Sequence, residues 1–180
     1  MLVFVGPMAS GKTSIGRRVA RELGWEFIDT DARIVAEYGP ITEIFAERGE
    51  AHFRVLEEDA VREAVTGAKE RIVSLGGGAV LSDATRALLA TVPVVLLTTT
   101  QEAVLGRTNL DKRPLLREDP GAWGRIYAER LPLYREVADR TWASERRPKE
   151  HIAAEIAAWL RESLSLETDV TTEAKDEPHD

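Results

Sequence analysis

The fold of this chain is decided by the stretch Gly6-Pro7-Met8-Ala9-Ser10-Gly11-Lys12-Thr13, which matches the pattern G-x-x-x-x-G-K-S/T at every fixed position. An apolar run from Leu2 to Val5 precedes it, and an amphipathic helical pattern follows it. In this context the backbone N–H groups of the turn and the amino end of the helix form a positive concavity for phosphate oxygens. Lys12 can reach the β- and γ-phosphates, and the Thr13 hydroxyl can bind Mg²⁺. The motif predicts nucleotide binding but does not distinguish a kinase from an ATPase or a GTPase.

The composition of the 180 residues is typical of a soluble globular protein, with 43% apolar and 31% charged residues. The net charge of −7 is concentrated at the carboxyl end, where residues 165–180 carry six acids and a single lysine. Nucleic-acid binders usually have a basic excess, so the charge argues against such a partner. We expect one domain over residues 1–164, followed by an acidic, disordered tail over residues 165–180.

The sequence gives no sign of membrane association. The run Leu2–Val5 is too short for a secretory signal, and no window has the roughly 18 consecutive apolar residues of a membrane span. The chain has no cysteine, which excludes disulfides and thiolate metal sites. These features predict a cytoplasmic protein.

Strand and helix patterns alternate along the chain. Apolar runs predict strands over residues 2–6, 26–30, 71–75, 92–98 and 141–143. Helical spacing predicts helices over about 12–23, 31–38, 42–48, 50–66, 82–90, 121–138 and 149–163, and the polar stretch 108–120 predicts a loop. Ser82 and Asp83 are the expected caps of the helix over 82–90. Strands that alternate with helices indicate a parallel sheet that is covered by helices on both faces.

The strands over 71–75 and 92–98 end without the carboxylate that many nucleotide-binding proteins use to hold Mg²⁺. The strand over 26–30 instead runs into Asp29-Thr30-Asp31. Side chains two residues apart on a strand point to the same side, so both carboxylates are expected at the carboxyl edge of the sheet, where ligands bind. One can serve Mg²⁺ and the other can accept the proton of an attacking hydroxyl. The alternative is that Asp31 only caps the next helix.

Five further segments follow the phosphate-binding loop along the chain. They are Asp29-Thr30-Asp31, Phe53-Arg54, Gly76-Gly77-Gly78, Arg113-Pro114-Leu115-Leu116 and Pro132-Leu133-Tyr134-Arg135. The whole set resembles the shikimate kinase family, from residue 1 to about residue 160. The resemblance implies a three-layer α/β/α P-loop NTPase fold of the nucleoside monophosphate kinase type, with a five-stranded parallel sheet and a mobile lid over about 108–118.

The resemblance also implies an activity. Shikimate kinases use ATP to phosphorylate the 3-hydroxyl of shikimate, which gives shikimate 3-phosphate and ADP on the route to chorismate and the aromatic amino acids. The implied cofactor is Mg²⁺, and the implied small-molecule partners are ATP and shikimate. We expect the protein to be a monomer.

The functional residues implied by the resemblance follow from the positions of these motifs. Asp31 is implied as the base that also binds the substrate hydroxyls, with Lys12 and Arg113 as the other catalytic residues, and Thr13 and Asp29 are implied at the metal. The implied substrate residues are Asp31, Arg54, Gly76, Gly77, Gly78, Arg113 and Arg135, of which Arg54 and Arg135 hold the shikimate carboxylate. The implied ATP residues are Gly6, Pro7, Met8, Ala9, Ser10, Gly11, Lys12, Thr13, Ser14, Arg107, Arg113 and Arg147, with the adenine between Arg107 and a segment near Arg146, Arg147 and Pro148.

Two other functions remain open from the sequence. Another small kinase of the same fold, such as a gluconate kinase, would also bind a carboxylate through arginines. The triple glycine and the segment Arg113-Pro114-Leu115-Leu116 favour shikimate over gluconate. A non-catalytic nucleotide-binding module would be expected to have lost catalytic residues. All five that the resemblance implies are present: Lys12, Asp31, Arg54, Arg113 and Arg135.

Three further features give expectations that a structure can check. Ala9 stands where family members often have glycine, so a positive φ there would impose strain of about 1 kcal/mol, whereas a negative φ would impose none. The tryptophans are expected to pack in the interior rather than to stack on a nucleotide: Trp25, Trp123, Trp142 and Trp159. The acids Glu57, Glu58 and Asp59 are expected on a solvated helix face, from which one of them could pair with Arg54.

Overall fold

The structure is a computed structural model that describes residues 1–67, 70–107, 119 and 121–173, and the side chains of all of these except 107 and 166–173. Its strands are β1 (Leu2–Val5), β2 (Glu26–Asp29), β3 (Arg71–Ser74), β4 (Val94–Thr98) and β5 (Arg140–Ala143). Its helices are α1 (Lys12–Leu23), α2 (Thr30–Tyr38), α3 (Ile41–Thr66), α4 (Asp83–Leu89), α5 (Gln101–Arg107), α6 (Ala122–Val137) and α7 (Lys149–Glu173).

The strands form one five-stranded sheet in the order β2-β3-β1-β4-β5, and every pairing is parallel. The register places Ser74 beside both Phe4 and Asp29, so β1, β2 and β3 end at the same edge. The segments that follow these strands are the phosphate-binding loop, the Asp29-Thr30-Asp31 segment and the triple glycine. The predicted parallel sheet is confirmed, and its carboxyl edge gathers the predicted motifs in one place.

Successive residues of the central strand β1 point to opposite faces of the sheet, and helices bury both faces. On one face Val3 and Val5 pack with apolar residues of α3, α4 and α6. On the other face Leu2 and Phe4 pack with apolar residues of α1 and α7. This burial on both sides explains why the strand reads as a continuous apolar run rather than an alternating one.

Two helix boundaries lie at residues that the sequence predicts. Helix α3 is interrupted at Gly49, whose φ of 79° is not helical, and this matches the two helices predicted on either side of that residue. Ser82 caps α4 through its side chain, which accepts a hydrogen bond from the Thr85 N–H, as the sequence predicts. The segment predicted as a loop, 108–120, lies outside the described residues except for Asp119.

The last helix differs from the expectation. Helix α7 continues to Glu173, beyond the predicted helix end near residue 163 and into the expected tail over 165–180. Residues 174–180 of that tail lie outside the described residues. Extending a helix that already exists requires fixing only one further residue per hydrogen bond, so the acidic segment can continue it without an apolar face. The helices among the described residues include none that is long and apolar enough to cross a membrane.

Candidate active site

The phosphate-binding loop connects β1 to α1 through two glycines in conformations that strongly favour glycine. Gly6 has a φ of 137°, and a Cβ there would lie 2.2 Å from the Leu97 carbonyl oxygen of β4. Gly11 has a φ of 92° at the amino end of α1. The Lys12 ammonium is buried and donates to the carbonyl oxygens of Gly6 at 2.7 Å and Pro7 at 2.9 Å. The loop therefore wraps around the charge that it would present to phosphates.

Ala9 adopts the left-handed conformation, with a φ of 66°. For an L-residue with a Cβ this conformation costs about 1–2 kcal/mol. The sequence left open a strained positive φ or an unstrained negative φ at Ala9, and the structure has the strained one.

The Thr13 hydroxyl donates to Asp29 Oδ2 at 2.7 Å, which joins the start of α1 to the end of β2. This hydrogen bond leaves the lone pairs of the hydroxyl oxygen available, and the pair supplies the hard oxygen ligands that Mg²⁺ prefers. Groups of three or more metal-binding side chains are absent from the described residues. The arrangement fits Mg²⁺ because that ion usually takes one or two protein ligands together with nucleotide phosphates.

The two aspartates differ in a way that the sequence argument does not anticipate. Asp29 is the last residue of β2 and also caps α2, because its Oδ1 accepts a hydrogen bond from the Ala32 N–H at 3.2 Å. Asp31 lies in the first turn of α2, so it is neither a strand residue in register with Asp29 nor the helix cap. The prediction that both aspartates lie on one strand and point to the same side is therefore wrong. The expectation that both carboxylates lie at the carboxyl edge of the sheet is confirmed.

Asp31 is the carboxylate that the structure leaves available for chemistry. Its Oδ1 is buried and has no hydrogen-bond partner within the described part of the chain. Burial raises the pKa of the Asp31 carboxyl, and the nearby Asp29 carboxylate raises it further, whereas Lys12 and Arg54 oppose the shift. Burial therefore dominates, so the group is a stronger proton acceptor than an exposed aspartate.

Two of the three glycines bring the backbone after β3 close to charged side chains. A Cβ on Gly76 would lie 2.5 Å from Asp31 Oδ1 and 2.6 Å from Glu57 Oε1, and a Cβ on Gly78 would lie 2.1 Å from Arg54 Nη1. The glycines thus allow two carboxylates and a guanidinium to approach the backbone after β3.

Arg54 is held on α3 by two carboxylates. It donates to Glu50 at 2.7 Å and to Glu57 at 2.6 Å, on the two flanking turns of the helix. The expected pairing of Arg54 with an acid of this helix is confirmed, but the expectation of a solvated Glu57 is wrong, since only 3% of Glu57 is exposed. Burial raises the pKa of the Glu57 carboxyl, although the ion pair with Arg54 lowers it.

The neighbouring Phe53 is itself buried against Ile34 and Ile44, which fixes α3 beside α2.

The arginine of α6 that lines the cavity is Arg130, whereas Arg135 was the residue expected to bind the substrate. Arg130 lines the cavity and donates to the Gly77 carbonyl oxygen at 3.2 Å, and the Tyr134 hydroxyl donates to the same oxygen at 2.6 Å. Burial raises the pKa of Tyr134 to about 12, so this hydroxyl stays a donor. Arg135 is exposed and does not line the cavity. Residues 130 and 134 are one helical turn apart on one face, whereas residue 135 lies on another, and this spacing is the signal in the sequence that identifies Arg130.

These residues surround a cavity of about 800 Å³ at the carboxyl edge of the sheet. The phosphate-binding loop forms one wall, and Gly77 lies beside it, where a Cβ would make an ordinary contact with the Met8 nitrogen at 3.6 Å. The volume is that of a typical small-molecule site. The cavity therefore has a phosphate end on the loop and an acceptor end lined by Asp31, Arg54 and Arg130.

Some predicted residues cannot be placed in this cavity. Arg113 and the expected lid over 108–118 lie outside the described residues, as does the Arg107 side chain. Arg147 is described and exposed, and its guanidinium pairs with Glu155 of α7. The assignment of these arginines to ATP remains a prediction.

A parallel sheet, a strand–loop–helix phosphate cradle and a facing cavity with a buried carboxylate define a P-loop protein of the kinase class. The comparisons with known proteins are more specific. The family model described as Shikimate kinase matches residues 8–161. The shikimate kinase of Salinispora arenicola (strain CNS-205) is 44% identical over 161 residues, which are 88% of this chain and 96% of the relative. That of Streptomyces coelicolor is 42% identical over 168 residues, which are 91% and 98% of the two chains.

A solved structure agrees with the sequence relatives. The shikimate kinase from Acinetobacter baumannii in complex with shikimate has a TM-score of 0.83 to this structure at 36% identity, covering 90% of this chain and 93% of that one. The chain therefore belongs to the shikimate kinase family.

The raised pKa of Asp31 predicts a stability effect that depends on pH. A carboxyl whose pKa is higher in the folded state destabilises the fold once it is ionised, and it has no effect below the unfolded value of 3.8, where both states are protonated. Asp31→Asn should therefore raise the thermal unfolding midpoint at pH 7, because the amide has no charge that burial disfavours. The gain should disappear as the pH approaches 3.8.

Thermal unfolding followed by circular dichroism across this pH range measures the effect. Glu47→Gln is the matched control, because Glu47 is an exposed carboxylate on α3. An Asp31→Asn protein that is less stable than the native chain at pH 7 would contradict the account of a buried and poorly compensated charge.

Proposed function

We propose that the chain transfers the γ-phosphoryl group of ATP to the 3-hydroxyl of shikimate, which gives shikimate 3-phosphate and ADP. The observation that carries the proposal is the buried Asp31 oxygen without a hydrogen-bond partner in the described part of the chain, at the acceptor end of the cavity. Membership of the shikimate kinase family supports the same conclusion. In this proposal the enzyme is a phosphotransferase with an alcohol group as acceptor.

The phosphate end of the cavity binds ATP. Backbone N–H groups of the loop and the amino end of α1 attract phosphate oxygens, and the Lys12 charge lies within the loop. Thr13 and Asp29 are the residues that would hold Mg²⁺, either directly or through water. When bound, Mg²⁺ neutralises charge that develops on the phosphoryl oxygens.

The acceptor end binds the shikimate carboxylate through Arg54 and Arg130. A guanidinium forms two parallel hydrogen bonds with a carboxylate, which orients a planar anion as well as attracting it. Glu50 and Glu57 hold Arg54 in place on its helix, and the Gly77 carbonyl oxygen holds Arg130. Both guanidiniums are therefore positioned before the substrate enters.

Asp31 accepts the proton of the 3-hydroxyl as the hydroxyl oxygen attacks the γ-phosphorus. The bond between that phosphorus and the bridging oxygen of ATP breaks, ADP leaves with the electron pair, and the proton on Asp31 passes to solvent. The raised pKa of Asp31 brings its basicity closer to that needed at neutral pH. Arg113, which lies outside the described residues, is proposed to stabilise the transferring phosphoryl group from the lid.

Release of ADP in a coupled assay tests this function against its alternatives. We expect ADP release with ATP, Mg²⁺ and shikimate, little with gluconate, and little without an acceptor. Asp31→Asn should reduce kcat by about 10²–10⁴-fold, the usual contribution of a general base. Release that is independent of shikimate, or greater with gluconate, would overturn the proposal, and ADP binding with no turnover on any acceptor would indicate a non-catalytic module.

A second comparison tests which arginine holds the carboxylate. Arg130→Met should lower kcat/KM for shikimate by about 10–100-fold, because it removes a charge-assisted hydrogen bond of roughly 1.5–3 kcal/mol. Arg135→Met is the matched control on the same helix and should change kcat/KM less than twofold. Steady-state kinetics with shikimate as the varied substrate measures both. A larger loss of kcat/KM in Arg135→Met than in Arg130→Met would indicate that Arg135, the residue of the sequence motif, binds the carboxylate.

A further inference from the structure

Trp123 makes a contact that interior packing does not explain. Its indole Nε1–H donates to the Met8 carbonyl oxygen at 3.0 Å, and only 4% of the residue is exposed. Met8 belongs to the phosphate-binding loop, whereas Trp123 lies in the first turn of α6. The expectation that Trp123 is buried is confirmed, but its side chain also lines the cavity and donates a hydrogen bond to the backbone of the phosphate-binding loop.

The accepting carbonyl is the one that precedes the strained residue. The Met8 carbonyl and the Ala9 N–H belong to one planar trans peptide unit and point in opposite directions. Rotation of that unit changes the φ of Ala9, so a donor that fixes the Met8 carbonyl also fixes Ala9 at its φ of 66°. The direction of the Ala9 N–H, one of the groups of the phosphate cradle, is set by the same contact.

A strained residue of this kind persists only where its surroundings hold it. The Ala9 side chain is exposed, so its own packing contributes little to holding the loop. A glycine at this position would adopt the same φ with no penalty from a Cβ. The alanine therefore makes the loop depend on contacts such as the indole hydrogen bond.

Trp123 is rigidly placed for this purpose. Its ring packs against Tyr127 at a centroid distance of 5.0 Å and against Val104 of α5. Gly124 of α6 also lies against the end of the Gln101 side chain of α5, because a Cβ on Gly124 would lie 2.4 Å from Gln101 Oε1. The donor is thus fixed by two helices rather than by the loop that it contacts.

We propose that Trp123 is a positioning residue for nucleotide binding, which holds the Met8–Ala9 peptide of the phosphate-binding loop in the conformation that receives phosphate. The role is a compensation for alanine at position 9. The inference rests on the proposed function only in that the loop binds a nucleotide, and not on the identity of the acceptor.

A double-mutant cycle on the full chain tests the inference. Trp123→Phe keeps the aromatic ring but removes the N–H donor, and Ala9→Gly removes the strain. We expect Trp123→Phe to weaken ADP binding, measured by calorimetry with Mg²⁺, about fivefold in the Ala9 background, the factor for one neutral hydrogen bond. In the Ala9→Gly background the same substitution should weaken ADP binding less than about twofold, since the two sites share one peptide unit.

Kinetics and a control separate positioning from general damage. Trp123→Phe should raise the KM for ATP by a similar factor and leave the KM for shikimate within about twofold. Trp25→Phe is the matched control. Trp25 immediately precedes β2, so it lies at the amino ends of the strands, away from the phosphate-binding loop, and it packs with apolar residues of α1 and α7. It should not change ADP binding. Because ADP binding needs no acceptor, the cycle can succeed or fail independently of phosphoryl transfer to shikimate.

Three outcomes would overturn the inference. The first is an equal loss of ADP affinity on Trp123→Phe in both backgrounds, the second is no loss in either, and the third is an equal loss in Trp25→Phe. If Trp123→Phe alone does not fold, the double variant with Ala9→Gly should fold and bind ADP. A double variant as unfolded as the single one would also contradict the role.

Discussion

The parallel pairing of β1, β2 and β3 is the constraint on which the active site depends. The register places Phe4, Asp29 and Ser74 side by side, so the segments that follow these strands leave the sheet at one edge. Those segments carry the phosphate-binding loop, the aspartates and the triple glycine. The apolar side chains on both faces of the sheet hold this register, and the core thereby determines the geometry of groups that are polar and partly exposed.

Two carboxyl groups at this edge of the sheet are largely buried and therefore poorly hydrated. Asp31 and Glu57 are both close to Gly76, and burial raises the pKa of each carboxyl. Arg54 offsets part of this unfavourable energy by pairing with Glu57, while Asp31 Oδ1 has no hydrogen-bond partner within the described residues. The fold therefore tolerates an unfavourable carboxylate at the position where a hydroxyl proton must be accepted. Catalytic groups are often destabilising to the folded protein in this way.

The sequence predicted the elements that depend on local patterns. The glycines and Lys12 of the phosphate-binding loop, the interruption at Gly49 and the Ser82 cap all follow from rules that act over a few residues. The five strands were also predicted. The clearest signals are the continuous apolar runs of β1 and β4, which are buried on both faces of the sheet.

The errors concern features that require tertiary contacts. Glu57 is one of three consecutive acids, and only the approach of Gly76 and Arg54 shows that it is buried. Arg135 belongs to the recognised motif, yet the face of α6 that borders the cavity carries Arg130 and not Arg135. The contact of Trp123 with Met8 joins residues far apart in the chain, which no local pattern could reveal.

The central claim is that this edge of the sheet directs the γ-phosphoryl group of ATP to one hydroxyl of shikimate. The most direct measurement is a phosphorus–proton correlation NMR spectrum of the product that forms from ATP, Mg²⁺ and shikimate. The account predicts a new phosphomonoester signal that is coupled to the proton on carbon 3 of shikimate and that is lost in Asp31→Asn. A phosphorus signal of inorganic phosphate alone, or one coupled to a proton on another carbon, would contradict it.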